Sequence, residues 1–159
     1  LDSGLKVYSF YPYSEIAPLL HTKHTYSGAK IFAQLGKHCL TPFLQNAHFP
    51  EGIYAIPIDD HVRHGYSHSA ILAKATKPFL TPLYGALRAQ NECTYSGKSK
   101  AFRAQHKRDF NVTCKEAMDV ILIDDIVTTG ATLQEAEEVL KKHSSNVLFA
   151  LVLADAKEN

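Results

Sequence analysis

Apolar and polar positions along the chain fall into two rhythms, one of period two and one near 3.6. Residues 7–13 are aromatic and β-favouring, which predicts a strand or hairpin arm. Residues 27–40 carry Ala29, Ile31, Phe32, Leu35 and Leu40 at helical spacing. Residues 53–58 predict a strand, 69–75 a short helix, and 80–87 a second strand weakened by Pro82. Residues 94–109 are polar and basic, with no apolar period. Residues 120–123 form a buried-strand run, 132–143 an amphipathic helix, and 147–154 a final apolar strand. Strands alternating with helices predict an α/β fold: a mostly parallel twisted sheet flanked by helices. Such sheets bind ligands at the carboxyl ends of their strands. Three strand ends, after Ile58, Leu87 and Ile123, are expected to converge on one edge.

Composition narrows the picture. The chain has 159 residues, enough for one domain with its own core. Hydrophobic residues make up 45% and charged residues 21%, as in ordinary globular proteins. The formal net charge is +1, so any basic surface must be local. Cys39, Cys93 and Cys114 are far apart, suggest neither a zinc module nor a disulfide framework, and fit a reducing cytoplasm. The longest apolar run is too short to span a bilayer, and no export signal is visible, so no membrane insertion is expected.

The densest chemistry is the run Val120-Ile121-Leu122-Ile123-Asp124-Asp125-Ile126-Val127-Thr128-Thr129-Gly130-Ala131-Thr132. A buried strand delivers two carboxylates to its carboxyl end, where paired acids suit the vicinal diol of a ribose. The turn that follows leads into a helix, whose first amides and positive dipole end favour an anion. Gly130 allows close approach of backbone to phosphate, and Thr128, Thr129 and Thr132 offer hydroxyls. Thr132-Leu133-Gln134-Glu135 predicts a capping box. A receiver domain would carry such acids near its start. A haloacid-dehalogenase phosphatase needs a D-x-D pair that Asp125-Ile126-Val127 lacks. Neither G-x-G-x-x-G nor a Walker A loop occurs.

This run resembles the 13-residue 5-phosphoribosyl-1-pyrophosphate (PRPP) motif of type I phosphoribosyltransferases. The wider chain resembles the ComF family, phosphoribosyltransferase-like proteins tied to DNA uptake in natural competence. Residues 23–28, residues 56–68, the basic segment around Arg103 and the PRPP motif occur in the family's order. His64-Gly65-Tyr66-Ser67-His68 stands where relatives carry R-G-F-N-Q, and Arg103-Ala104-Gln105-His106 where they carry R-x-x-N. The family's four-cysteine zinc module has no counterpart between Leu1 and Asn159; it could lie upstream of Leu1 or have been lost.

The resemblance implies the type I phosphoribosyltransferase fold, with residues 1–50 as hood and first helix and residues 51–159 as PRPP-binding core. It implies PRPP binding by Asp124, Asp125, Thr128, Thr129, Gly130, Ala131 and Thr132. A pyrophosphate loop would include Asp59, Asp60, Arg63 and Gly65. A closing flexible loop would bring Lys98, Lys100, Arg103, Lys107 and Arg108 to the leaving group, with Lys98 and Arg103 joining the two acids as catalytic residues. Mg²⁺ would be held mostly by PRPP and water, with no direct protein ligand. His61, His64 and His68 are candidates for a general base by location alone. Tyr8, Phe10, Tyr11, Tyr13 and Tyr26 could stack on an acceptor base or be core. The expected reaction transfers phosphoribosyl to an acceptor with release of pyrophosphate. The alternative is a non-catalytic PRPP-sensing or single-stranded-DNA-handling module, with competence-machinery proteins as further partners.

Overall fold

The computed structural model describes residues 1, 3–58, 62, 65–90 and 108–157. In chain order the elements are β1 (Val7–Pro12), α1 (Tyr13–His21), a 3-10 turn (Thr22–His24), α2 (Gly28–Gln45), β2 (Ile53–Pro57) and α3 (His68–Ala75). Then follow β3 (Thr81–Pro82), β4 (Leu87–Ala89), β5 (Phe110–Val112), β6 (Asp119–Val127), α4 (Ala131–Lys142) and β7 (Asn146–Asp155). Among the described residues, no helix is long and apolar enough to cross a membrane.

A five-stranded sheet has the order β1-β7-β6-β2-β3, and every pairing within it is parallel. Period-two alternation gives its central strands two apolar faces. Ile121 and Ile123 pack with Phe32, Leu40 and Leu72 under α2 and α3, while Val120 and Leu122 pack with Leu133, Ala136 and Leu140 under α4. These are two cores on opposite sides of one parallel sheet, as expected when crossover helices cover both faces.

The crossovers place the site. From β2 the chain passes through α3 to β3 on one side; from β6 it passes through α4 to β7 on the other. Adjacent strands β2 and β6 are therefore the switch point, where open α/β sheets leave a crevice. β2 pairs with β6 only as far as Pro57 and Ile123, with one more bond from the Ile58 amide to the Ile123 carbonyl at 2.9 Å. β6 continues along β7 to Val127. Asp124 and Asp125 thus lie inside β6, beside the notch where β2 has stopped. This corrects the expected strand end at Ile123.

Other boundaries also differ. The expected strand over residues 80–87 is split, because Pro82 closes β3 and a left-handed Gly85 turns the chain before β4. Leu87 then pairs in a separate antiparallel ribbon with β5, so its strand end is not one of three on the main sheet. Helix α1 and strand β5 were not expected. Residues 1–50 supply the edge strand β1 and helices whose residues join the core.

Candidate functional site

Ser69 opens the site from the α3 side. Its buried hydroxyl donates to the Ile58 carbonyl at 2.7 Å, tying the first turn of α3 to the end of β2. The Ser67 hydroxyl accepts from the Ala70 amide at 3.2 Å and caps the helix. His68, on that first turn, is thereby held facing β6. Its ring meets Phe32 edge-on at 5.6 Å, and its Nε2 stands 3.6 Å from Asp125 Oδ2.

A second cation reaches the same oxygen from far away in sequence. Lys23 Nζ donates to Asp125 Oδ2 at 2.8 Å. Lys23 lies in the 3-10 turn, which Tyr66 secures: its hydroxyl lies 3.4, 3.0 and 3.2 Å from the carbonyls of Thr22, Lys23 and Thr25. The turn folds so closely over the start of α2 that a Cβ at Gly28 would overlap the Thr22 carbonyl and the Tyr66 hydroxyl. Glycine at position 28 is what lets this amino-terminal turn seat against residue 66.

The two acids differ in environment. Alternation along β6 turns Asp125 toward α3 and Lys23. Burial would raise its carboxyl, but His68 and then Lys23 hold it well below the usual carboxylate range. The Asp124 carboxyl, half-buried, is pushed up to about 7 by desolvation and then by the neighbouring charge of Asp125. Its Oδ1 accepts the Asp125 amide at 2.9 Å. Burial disfavours charge on both Lys23 and His68, yet Asp125 outweighs it, and both are raised above their ordinary values.

Past the acids, Gly130 caps α4 in the left-handed conformation, with φ 80°. The Ala131 amide bonds to Thr129 Oγ1 at 3.3 Å, and the Leu1 side chain lies where a Cβ on residue 130 would stand. The first amides of α4 have no carbonyl a turn earlier within the helix, as an anion site requires. Thr132 lies inside the first turn, so the expected capping box does not form. Its other half, Glu135, points elsewhere: Oε2 accepts the Arg108 amide at 3.0 Å and Oε1 the Asp109 amide at 2.9 Å.

Arg108 is the one cation of the expected flexible loop among the described residues. Burial lowers its pKa from the ordinary value, against the pull of Asp124, Glu135 and Asp125. Lys98, Lys100, Arg103 and Lys107 lie outside the described residues, as do Asp59, Asp60, Arg63, His61 and His64. Gly65 is described and immediately precedes Tyr66, whose hydroxyl holds the amino-terminal turn. Of the amino-terminal aromatics, Tyr8 meets Phe43 tilted and Phe10 meets it edge-on, and Tyr11 and Tyr13 pack against the core, whereas Tyr26 is 94% exposed.

Sequence reasoning missed Lys23 as a partner of Asp125, Gly28 as its close-approach residue, and Tyr66, Ser69 and Glu135 as supports. The family-like order of residues 23–28 was the only signal for the first two. His68, Asp124 and Asp125 also bring one ligand atom each within 4.8 Å of one another. A hard cation prefers oxygen and few protein ligands. Asp125 Oδ2 is engaged by Lys23 and Asp124 Oδ1 by the Asp125 amide, which leaves one oxygen of each carboxylate for such a cation.

No protein-family model matches the sequence. Over 38 residues the chain is 45% identical to the transcriptional regulator GfcR of Methanosphaera stadtmanae, a match covering 24% of this chain and 19% of that protein. Among solved structures, a hypoxanthine phosphoribosyltransferase from Staphylococcus aureus superposes with a TM-score of 0.50 at 18% identity, covering 82% of this chain and 68% of that one. The chain has the type I phosphoribosyltransferase fold. Adenine phosphoribosyltransferase from Saccharomyces cerevisiae superposes at 0.48, with 18% identity over 87% of this chain and 72% of that one. In the phosphoribosyltransferase fold of this chain, the paired acids stand at the β2/β6 switch point.

Proposed function

We propose that the protein binds PRPP with Mg²⁺ and transfers its phosphoribosyl group to an acceptor with release of pyrophosphate. The observation that carries this reading is the joining, in one crevice, of Asp124 and Asp125 with the Gly130-capped start of α4. The ribose diol would donate to the carboxylates, and the 5-phosphate would sit on the amides and hydroxyls of residues 128–132. Arg108 would face the leaving pyrophosphate, together with Lys98, Lys100, Arg103 and Lys107 of the same segment. Asp59, Asp60, Arg63 and Gly65 would line the pyrophosphate loop.

In the reaction the bond between the anomeric carbon and pyrophosphate breaks as the acceptor's lone pair forms a new bond to that carbon. Positive charge develops on the ribose and negative charge on the leaving group. Asp124 and Asp125 would stabilise the former, and the basic segment the latter. Mg²⁺, held mostly by PRPP oxygens and water beside the paired carboxylates, would supply further neutralisation of the pyrophosphate. Lys23 and His68 would fix the Asp125 carboxylate in one orientation, so that it does not reorganise during reaction.

From the resemblance of its motif order to the ComF family, the reaction would serve DNA uptake, in the cytoplasm. A second reading, a PRPP-sensing module without catalysis, is favoured by one observation: the short match to a protein named as a transcriptional regulator. Single-stranded DNA would then be a partner of the basic segment. Pyrophosphate release separates the two. Protein incubated with PRPP and Mg²⁺, with and without nucleobase acceptors, should release pyrophosphate above the protein-free rate. Binding of PRPP without release would favour sensing, and absence of both would remove the two readings together.

A further inference from the structure

Resting on the PRPP reading, we infer that Glu135 is a positioning residue that braces Arg108 at the site. Glu135 lies on α4 just past the motif, one turn beyond the anion-binding end, where a carboxylate is of no use to a phosphate. The structure gives it another task. Its two oxygens each accept one of two consecutive backbone amides, Arg108 at 3.0 Å and Asp109 at 2.9 Å. These are the last two residues of the basic segment. The opposite side of the same backbone is also held, because the Gln90 amide donates to the Arg108 and Asp109 carbonyls, both at 3.1 Å. Asp109 adopts a left-handed conformation, φ 48°, within this clamp.

The consequence lies on the side chain of residue 108. Through its amide, Arg108 is tied to Glu135, four residues past the start of α4 at Ala131 and so close to the motif turn; of the neighbouring charges, Asp124 acts most on its guanidinium. Helix α4 begins at Ala131, capped by Gly130 of the motif turn, so one rigid element carries both the phosphate-binding amides and the brace. Glu135 thereby couples the position of a pyrophosphate-facing cation to the position of the phosphate-binding turn. A carboxylate suits this better than an amide, since it can accept at both oxygens while Gln offers one.

Amide exchange by NMR and calorimetric titration with Mg²⁺-PRPP test the brace on Glu135→Ala, Glu135→Gln, Arg108→Ala and the Glu135→Ala/Arg108→Ala pair. Glu135→Ala should abolish protection of the Arg108 and Asp109 amides and weaken PRPP about ten- to hundredfold, the range of one charged hydrogen-bonding group. Glu135→Gln should fall between it and the native protein, and it remains informative if the alanine variant folds poorly. The pair should bind no more weakly than Arg108→Ala alone, because Glu135 acts through Arg108. Native-like affinity in Glu135→Ala, or losses that multiply in the pair, would overturn the brace while leaving PRPP binding intact. A native protein that does not bind Mg²⁺-PRPP at all would overturn the ligand reading and with it this purpose for Glu135.

Discussion

Lys23 donates to Asp125 and His68 stands 3.6 Å from the same oxygen, whereas Asp124 accepts the Asp125 backbone amide. The adjacent carboxylates should therefore respond to pH in opposite senses. Asp124 sits near 7 in the folded protein against about 4 in an unfolded chain. Its protonated form favours the fold below about pH 4, and that contribution is lost as pH rises through 7. Asp125 lies below its ordinary value, so its contribution is present above about pH 4 and is lost on further acidification. Urea denaturation of the ligand-free protein should thus show Asp124→Asn more stable than native by ~1–2 kcal/mol at pH 8, with the gap closing at pH 4. Asp125→Asn should be less stable at pH 8, since it leaves Lys23 and His68 without their anion. Equal stabilities for the two variants at pH 8 would contradict this assignment. A steric prediction applies at Gly28, where Ala must displace the Thr22 carbonyl and Tyr66 hydroxyl. It should cost ~1–3 kcal/mol by thermal or urea denaturation.

Among elements, the β6–turn–α4 unit was the most legible in the sequence. Four apolar residues, two acids and a glycine before an amphipathic run fix strand, turn and helix locally. What was misread there depended on neighbours: β6 runs on to Val127 because β7 remains paired with it, and Glu135 leaves the capping box because two amides of residues 108 and 109 lie within reach. Helix α1 went unseen because Pro18 interrupts its pattern, although Ile16 and Leu20 are one turn apart and buried. The strand expected over residues 80–87 failed because Pro82 and Gly85 decided the local path. Helix α3 carries a test at this scale. Its Ser67 cap holds the turn that presents His68, so Ser67→Ala should destabilise the protein by ~1 kcal/mol and raise amide exchange at Ala70. Unchanged exchange there would mean that the cap does not hold the turn.

For the whole molecule, the sequence made the parallel α/β class legible, because it follows from periodicity and element order, whereas the acids it set past a strand end lie inside β6. It did not reveal that Lys23 meets Asp125 across 102 positions, since no local pattern says which distant polar groups will meet. Nor did it reveal the separate β4–β5 ribbon, beside which the Arg108 amide bonds to Glu135 of α4. Strand order supplies what local pattern cannot: with β2 and β6 adjacent and their crossovers diverging, the amino-terminal turn and the start of α3 both reach Asp125 at one crevice. A ligand that fills it should stabilise the fold by mass action, about 2.7 kcal/mol at a hundredfold excess over Kd. Isothermal calorimetry with PRPP and Mg²⁺ tests the central claim most directly, on the native protein and on the Asp124→Asn/Asp125→Asn double variant. Saturable one-to-one binding by the native protein, lost in a double variant that remains folded, is the result expected. Equal affinity in both proteins would contradict the assignment of the paired acids as the ribose site.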